Sequence, residues 1–217
     1  MRTFGFPEFL FILEAAKWTL ALSAIAFVGG AILGLIIALM RTSESGWARG
    51  ISTTFIQIFQ GTPLLLQLFL VFFGAPVLGL DINPWVAAGV ALILNSAAFL
   101  GEIWRGCIQA IPRGQWEAAQ ALNLKYAARM RDVVLPQAFK IALAPTVGYL
   151  VQIIKGTSLA AIIGFVEVTR AGQIVNNATF QPLIVFSVVA AIYFVICWPL
   201  SLLAARMERK RALALAR

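Results

Sequence analysis

Ile111-Pro-Arg-Gly-Gln-Trp-Glu-Ala-Ala-Gln-Ala-Leu-Asn-Leu-Lys-Tyr-Ala-Ala-Arg-Met-Arg-Asp-Val-Val-Leu-Pro136 is the longest hydrophilic segment of an otherwise apolar chain. Pro112 and Gly114 break what precedes it. Gly114 reads as a helix N-cap, with Glu117 three residues on reaching back to the freed amide, a variant of the capping box. Ala118, Ala119, Leu122 and Tyr126 follow at helical spacing and share one face, small at one end and bulky at the other, which another surface can approach closely. Asn123 suits a turn, because Asn tolerates left-handed backbone. A basic turn with Lys125, Arg129 and Arg131 comes next, and Pro136 closes the unit. On these residues alone two readings stand: a loop on the membrane surface with its arginines near anionic lipid, or a folded unit that meets a partner.

The rest of the chain supplies the context. Of 217 residues, 61% are hydrophobic and only 12% charged, against about 25% charged in a soluble domain. With a mean hydropathy of +0.89, the composition specifies an all-α polytopic membrane protein. The net charge of +8 is the positive-inside bias of such a protein rather than a nucleic-acid footprint. The chain has no histidine, which removes His acid–base chemistry, His metal sites and His-containing triads. Cys107 and Cys197 fall in or beside apolar runs and read as small buried hydrophobes, not as a disulfide framework. Glu8 and Glu14 interrupt the N-terminal apolar character, so residues 1–14 are expected to be retained as an interfacial segment on the outer surface, with Phe6, Phe9, Leu10 and Leu13 on one face.

Five apolar runs reach the roughly 20 residues that span a bilayer, near 18–40, 51–73, 85–106, 141–164 and 183–205, within a membrane domain at 15–208. With the N-terminus outside, the inner segments hold thirteen of the seventeen Lys and Arg residues. That asymmetry predicts an N-out, C-in orientation. It places the 107–140 loop, and a basic tail at 209–217, in the cytoplasm.

Several polar residues interrupt these runs. Span one carries a small-residue stripe, Ala26, Gly30, Gly34 and Ala38, suited to close helix packing within this chain or at a dimer seam. In span two, Gly61 and Pro63 predict a break. Gln60, Thr62 and Gln67 either bond neighbouring helices around a proline kink or line a permeation path. Asn95 in span three is a second path candidate, whereas Glu102 and Arg105 are spaced for a local ion pair. Lys155, past the midplane of span four, either snorkels or faces a polar cavity with Thr157 and Ser158. The segment from Glu167 to Gln181 is polar and open to an external partner.

No metal-binding helix, serine elbow or phosphate-binding Gly-rich loop is visible. An enzyme is therefore not expected, and neither is a cofactor bound by this chain. Transport or membrane scaffolding remains, and a transporter of five spans calls for a second membrane subunit. Glu117-Ala-Ala, Asn123 and Val133-Val-Leu-Pro136 together resemble the cytoplasmic EAA loop of binding-protein-dependent ABC importer permeases. Gly61-Thr-Pro-Leu-Leu-Leu-Gln67, Glu102-Ile-Trp-Arg-Gly-Cys-Ile108 with Ile111-Pro-Arg-Gly-Gln115, and Lys155-Gly-Thr-Ser-Leu159 resemble the polar amino acid subfamily. The likeness covers roughly residues 15–208.

The resemblance implies a type I importer transmembrane domain in a bacterial inner membrane. It implies a coupling helix at 114–124 that docks a separate ATPase, with Gly114, Glu117, Ala118, Ala119, Leu122, Asn123, Leu124, Leu135 and Pro136 at the joint. The implied partners are two ATPase subunits, a second permease (identical or homologous) and a periplasmic solute-binding protein, with membrane lipid and no nucleic acid. Three positions depart from the family pattern. Asn123 stands where glycine is usual, Gln60 where arginine is usual, and Gly156 where an acidic residue usually follows the lysine. The alternative is a stand-alone secondary transporter or channel for a small polar solute.

Overall fold

The computed structural model describes residues 3–215, with side chains to Lys210; Arg2 and Arg217 of the charge count, and the side chain of Arg211, lie outside what it describes. Helix α1 is the longest element, running unbroken over Phe6–Thr42, roughly 55 Å at 1.5 Å per residue. It starts where Gly5 is extended and the Glu8 carboxylate accepts from the Gly5 N–H at 3.1 Å. Residues 6–14 of the segment expected to be separate are thus the first turns of α1, which runs on into span one. Nothing in Phe6–Leu13 breaks a helix, because Pro7 sits in the first turn, where its missing N–H has no helical partner. Phe6, Leu10 and Leu13 are exposed, while Ile12 and Ala15 are buried.

Helix α2 (Gly46–Gly61) and α3 (Leu64–Val77) replace the expected single span two and meet at a 101° bend. Thr62 and Pro63 are both extended there. Proline has no N–H to continue the ladder and pushes the preceding residue out of the helical region. Helix α4 (Pro84–Gln109) is capped by Asn83, whose side chain accepts from Val86 N.

The small-residue stripe of α1 packs on α4 within this chain. A Cβ on Gly30 would lie 2.5 Å from Ser96 Cβ, and one on Gly34 would lie 3.1 Å from the Ala97 carbonyl oxygen. Close backbone approach of this kind is what small residues permit in lipid, where no hydrophobic force draws helices together.

The short helix α5 (Arg113–Ala121) precedes a 38-residue helical run, Tyr126–Ile163. That run comprises α6 (Tyr126–Ala128), a π-helical stretch Arg129–Val134, α7 (Leu135–Gly156) and 3-10 turns over Thr157–Ile163. Pro136 therefore closes nothing. It sits in the first turn of α7, and the wider π turn before it accommodates the lost bond. Gly164 at φ +86 ends the run.

The expected polar loop at 167–181 is largely α8 (Val168–Thr179), and α9 (Pro182–Leu215) carries span five straight into the basic tail. Among the described residues, four helices are individually long and apolar enough to cross a membrane, or five spans if the bent pair counts as one.

Contacts give the bundle two distinct ends. At one, the Phe4 N–H donates to Gln181 Oε1 at 3.0 Å, and Ile12 and Ala15 pack with Val168, Ala171 and Val185. At the other, the Tyr126 hydroxyl donates to the Thr42 carbonyl at 3.0 Å, tying the segment after α5 to the end of α1.

Candidate functional site

Helix α5 forms because Pro112 leaves extended backbone at its start and Gln115, Trp116, Glu117 and three alanines favour helix. Pro112, not Gly114, is the cap residue, and no side chain caps it. Gly114 lies inside the first turn and needs no cap from Glu117, which is exposed. Asn123 is left-handed at φ 56, as its side chain allows. The turn is closed by Asn123 N–H to Gln120 O at 2.8 Å and Leu124 N–H to Ala119 O at 3.2 Å.

That reversal overturns the shared face expected for Ala118, Ala119, Leu122 and Tyr126. Ala119 is buried at 3% exposure beneath α5, whereas Ala118 is exposed and Leu122 is 75% exposed. Tyr126 belongs to the next element. Leu124 and Leu135 are half-buried and Pro136 is exposed. The outward surface of α5 is therefore Glu117, Ala118, Ala121 and Leu122.

The root of α5 is firm. Trp116 packs on a cluster of Ile108, Ile111, Met130, Val134 and Ala138. Gln137 Nε2 donates to Gln115 Oε1 at 3.2 Å, and Arg129 Nη2 lies 3.5 Å from Glu44 Oε1. α5 is thus linked to α7 through Gln137, and the segment that follows it is linked to the α1–α2 connection through Arg129 and Tyr126.

The bend between α2 and α3 gathers four of the predicted path residues. Gln67 is buried, and its Nε2 donates to Phe59 O at 2.8 Å, Thr62 O at 3.0 Å and Thr62 Oγ1 at 2.9 Å. Asn95 Nδ2 donates to Gln67 Oε1 at 3.1 Å, and Tyr149 Oη donates to Asn95 Oδ1 at 3.4 Å. Gln60 Nε2 donates to Ala98 O at 3.4 Å. Gln67 Nε2, with Asn95 Nδ2 at 3.4 Å from Phe59 O, satisfies the Phe59 and Thr62 carbonyls that the broken helix leaves open, as is required where water is scarce, while Gln60 reaches across to α4. The bonding role is thereby accounted for, while Gln60 and Thr62 also remain exposed.

Lys155 is exposed, with no ion pair among the described residues. A Cβ on the adjoining Gly156 would be 3.2 Å from Leu64 Cδ2, so this part of α7 abuts the start of α3. Thr157 is not with it on the open surface. It is fully buried, and its hydroxyl donates to Ile154 O at 2.7 Å. The half-buried Ser158 donates to Lys155 O at 2.7 Å. The Glu102–Arg105 pair forms as spaced, with Arg105 Nε 2.8 Å from Glu102 Oε2.

Sequence reasoning missed Glu167. Its side chain is fully buried, accepting from Arg170 N–H at 2.9 Å, Tyr193 Oη at 2.6 Å and Thr19 Oγ1 at 3.4 Å. One carboxylate thereby joins α1, α8 and α9. The available signal was an acid flanked on both sides by apolar residues, Phe165-Val166 and Val168.

Residues 30–212 match the family described as "Binding-protein-dependent transport system inner membrane component". The chain is 36% identical over 206 residues to the glutamine transport system permease protein GlnP of Escherichia coli (strain K12), covering 94% of each. It is 38% identical over 205 residues to the arginine transport system permease protein ArtQ of Bacillus subtilis (strain 168), again 94% of each. A solved amino acid ABC transporter, crystallised with histidines, superposes with a TM-score of 0.87 at 33% identity, covering 96% of this chain and all of that one. The MetNI methionine ABC transporter shares the fold at a TM-score of 0.79 and 18% identity, covering 95% of this chain and 99% of that one. With the bent span, the outward-facing short helix and the polar network at the bend, these likenesses establish that the chain belongs to the binding-protein-dependent inner-membrane transport components, as a multi-pass permease subunit of an ABC importer.

Proposed function

We propose that this permease moves a polar amino acid across the inner membrane, driven by two separate ATPase subunits that seat on α5. The chain itself hydrolyses no ATP and holds no cofactor. The observation that carries the reading is α5 itself: a nine-residue helix rooted by Trp116 and Ala119 and turning Glu117, Ala118, Ala121 and Leu122 outward. Nucleotide-driven closure of the ATPases moves α5, and its contacts to α7 and to the α1–α2 connection shift the bundle between inward and outward openings. The cycle runs on differential affinity for those two states.

A second permease covers the surface carrying Gln57, Gln60, Thr62, Gln152 and Lys155. All five are exposed on this chain within segments that lie at membrane depth. Polar groups there are expensive against lipid and belong beside protein or water. The substrate path follows that seam, with Gln60, Thr62 and Lys155 closest to it and Gln67 and Asn95 holding the bend. The N-terminus faces outside and the C-terminus the cytoplasm, so a solute-binding protein delivers substrate at the end that carries α8.

The relatives include glutamine and arginine permeases, so the particular amino acid follows from the path. Lys155 has no acidic neighbour at Gly156, which leaves the path positive and favours zwitterionic or acidic amino acids over cationic ones. Uptake of labelled arginine, glutamate and glutamine by the reconstituted complex tests this, and transport of arginine alone overturns it. For the coupling role, Ala118→Trp is expected to leave the protein inserted while abolishing ATP-dependent uptake. Normal uptake by that variant, or solute movement without ATP by this chain alone in vesicles, refutes the assignment. Ala119 is unsuitable for this test because its burial confounds docking with folding.

A further inference from the structure

Past the bend, α4 carries a second polar row. At 100° per residue, Asn95, Ala98, Glu102, Arg105 and Gln109 fall within an arc of about 80°. The opposite side of α4 is the one that α1 covers, through Gly30 against Ser96 and Gly34 against Leu100. The row begins in the polar network of the bend, where Asn95 bonds Gln67 and the Ala98 carbonyl accepts from Gln60. From Asn95 to Gln109 it runs about 20 Å toward the end of the bundle that carries α5.

Glu102 and Arg105 are the charges in this row. Their side chains are 35% and 21% exposed, neither free in water nor enclosed. Arg105 donates from Nε to Glu102 Oε2 at 2.8 Å, from Nη2 to Glu102 Oε1 and from Nη1 to Gln109 Oε1. Among the described residues, no hydrogen bond or ion pair reaches either side chain from outside α4. Arg41 of α1 also acts on Glu102 electrostatically, so these three charges sum to one positive. Glu102 lies seven residues, about 10 Å, inside the end of a helix long and apolar enough to cross a membrane. A local pair of this spacing and exposure contributes little stability, too little to account for two charges at that depth. Charges there belong beside a polar, wet space.

We propose that Glu102 and Arg105 form a way-station for the transported amino acid on the α5 half of the path, Arg105 taking its carboxylate and Glu102 its ammonium group. An α-amino acid carries those two opposite charges on one carbon, the arrangement that complements an Arg–Glu pair. The Arg105 guanidinium has N–H donors to spare beyond its present bonds, and its planar fork matches a carboxylate. Each charge of the solute replaces a partner that the pair already satisfies, so the pair opens to take the solute and recloses on its release. The way-station thus reads the free α-amino and α-carboxyl groups whatever the side chain, while Lys155 discriminates by net charge.

The inference rests on the transport reading and names two residues of its path. Its test is equilibrium binding of the radiolabelled amino acid, whichever of arginine, glutamate and glutamine is imported, to the nucleotide-free permease–ATPase complex. The competitors are the same amino acid, its α-amide and its Nα-acetyl derivative. Wild type is expected to bind the amino acid about tenfold more tightly than either derivative, the scale of one hydrogen bond to a charged group. Arg105→Gln is expected to weaken the amino acid about tenfold and to stop distinguishing it from the amide, while still rejecting the acetyl derivative. Glu102→Gln should show the mirror pattern. Arg105→Lys and Glu102→Asp keep the charge at a different reach, and each should lower only its own preference, by a smaller factor. These two decide should a glutamine variant fail to assemble. No binding by wild type, equal affinity for the derivatives, unchanged binding in the variants, or a loss of affinity in both without a change in discrimination overturns the way-station; the last is what a merely structural ion pair would give. ATP-driven uptake by a complex that fails this test would leave the transport reading intact, whereas absence of uptake by the complete wild-type complex would fail that reading instead.

Discussion

Replacing Glu167 by alanine is expected to free α8 from the bundle. Three donors lose their acceptor: the Arg170 N–H, the Tyr193 hydroxyl and the Thr19 hydroxyl. The first is the N-cap bond of α8, and loss of such a cap costs about 1 kcal/mol. Tyr193 keeps a neighbour in Thr169 Oγ1 at 3.2 Å, and Thr19 Oγ1 still accepts from Val168 N at 3.3 Å. The Thr19 proton has no such fallback in a fully buried setting, and hydrogen bonds to a charged group contribute about 1.5–3 kcal/mol each. Together the loss is about 3–4 kcal/mol, or two to three powers of ten in a local opening constant. Hydrogen exchange of α8 in the purified complex reads this directly, as protection falling by at least a hundredfold while α4 amides are unchanged. Glu167→Gln keeps the shape and the cap and should fall between the two. The Tyr193→Phe and Glu167→Ala effects should be non-additive by at least 0.5 kcal/mol, since they share one bond. Protection of α8 within threefold of wild type in Glu167→Ala would refute the claim that this carboxylate pins α8 to α1 and α9.

Other outcomes follow from the same contacts. Gly30→Ala places a Cβ 2.5 Å from Ser96 Cβ and should destabilise by about 1–3 kcal/mol through overpacking, whereas Gly46→Ala, with nothing within 4 Å, should not lower stability; thermal unfolding in detergent compares them. Gln67→Leu keeps the volume but leaves the Thr62 carbonyl without its amide donor and Phe59 O with only Asn95 Nδ2 at 3.4 Å, and should cost about 2–3 kcal/mol by denaturant titration, more than Gln60→Leu at the exposed end of the network. Glu44→Ala removes an ion pair that is 76% exposed on the Glu44 side and should change stability by less than about 1 kcal/mol.

Much of this architecture was legible because lipid constrains sequence so strongly. The apolar runs found α4 and the cores of α1, α7 and α9, since a spanning helix must be long and apolar. Gly61 and Pro63 announced the bend, because proline cannot continue a helical ladder. The Ala26–Ala38 stripe announced a close contact, and α4 is its partner. The failures lie where local signals compete with tertiary ones. Gly114 and Glu117 look like a cap, yet Pro112 already sets the backbone and the helix begins two residues earlier. Pro136 looks like a terminator, but a first-turn proline is compatible with a helix that widens before it. Ala119 and Ala118 are identical in sequence terms, and only the way α5 seats on the chain decides which one turns inward, Ala119 being 3% exposed. Glu167 was missed for a related reason: despite its apolar neighbours Val166 and Val168, a glutamate opening a polar stretch reads as solvated until Thr19 and Tyr193, 148 and 26 residues away in sequence, close over it.

The π-helical stretch Arg129–Val134 has a geometric consequence. Such a bulge holds one residue more than the α-helical path would need. Each residue turns an α-helix by about 100°, so that surplus residue sets the azimuth at which the chain before it leaves the axis of α7. Removing one residue between Arg129 and Val134 would let the ladder close into regular α register and swing everything upstream by about a quarter-turn. On the proposed coupling role, the bearing of the short helix toward an ATPase thus depends on a local count of residues, and a one-codon deletion there is expected to silence import with the sequence of α5 unchanged.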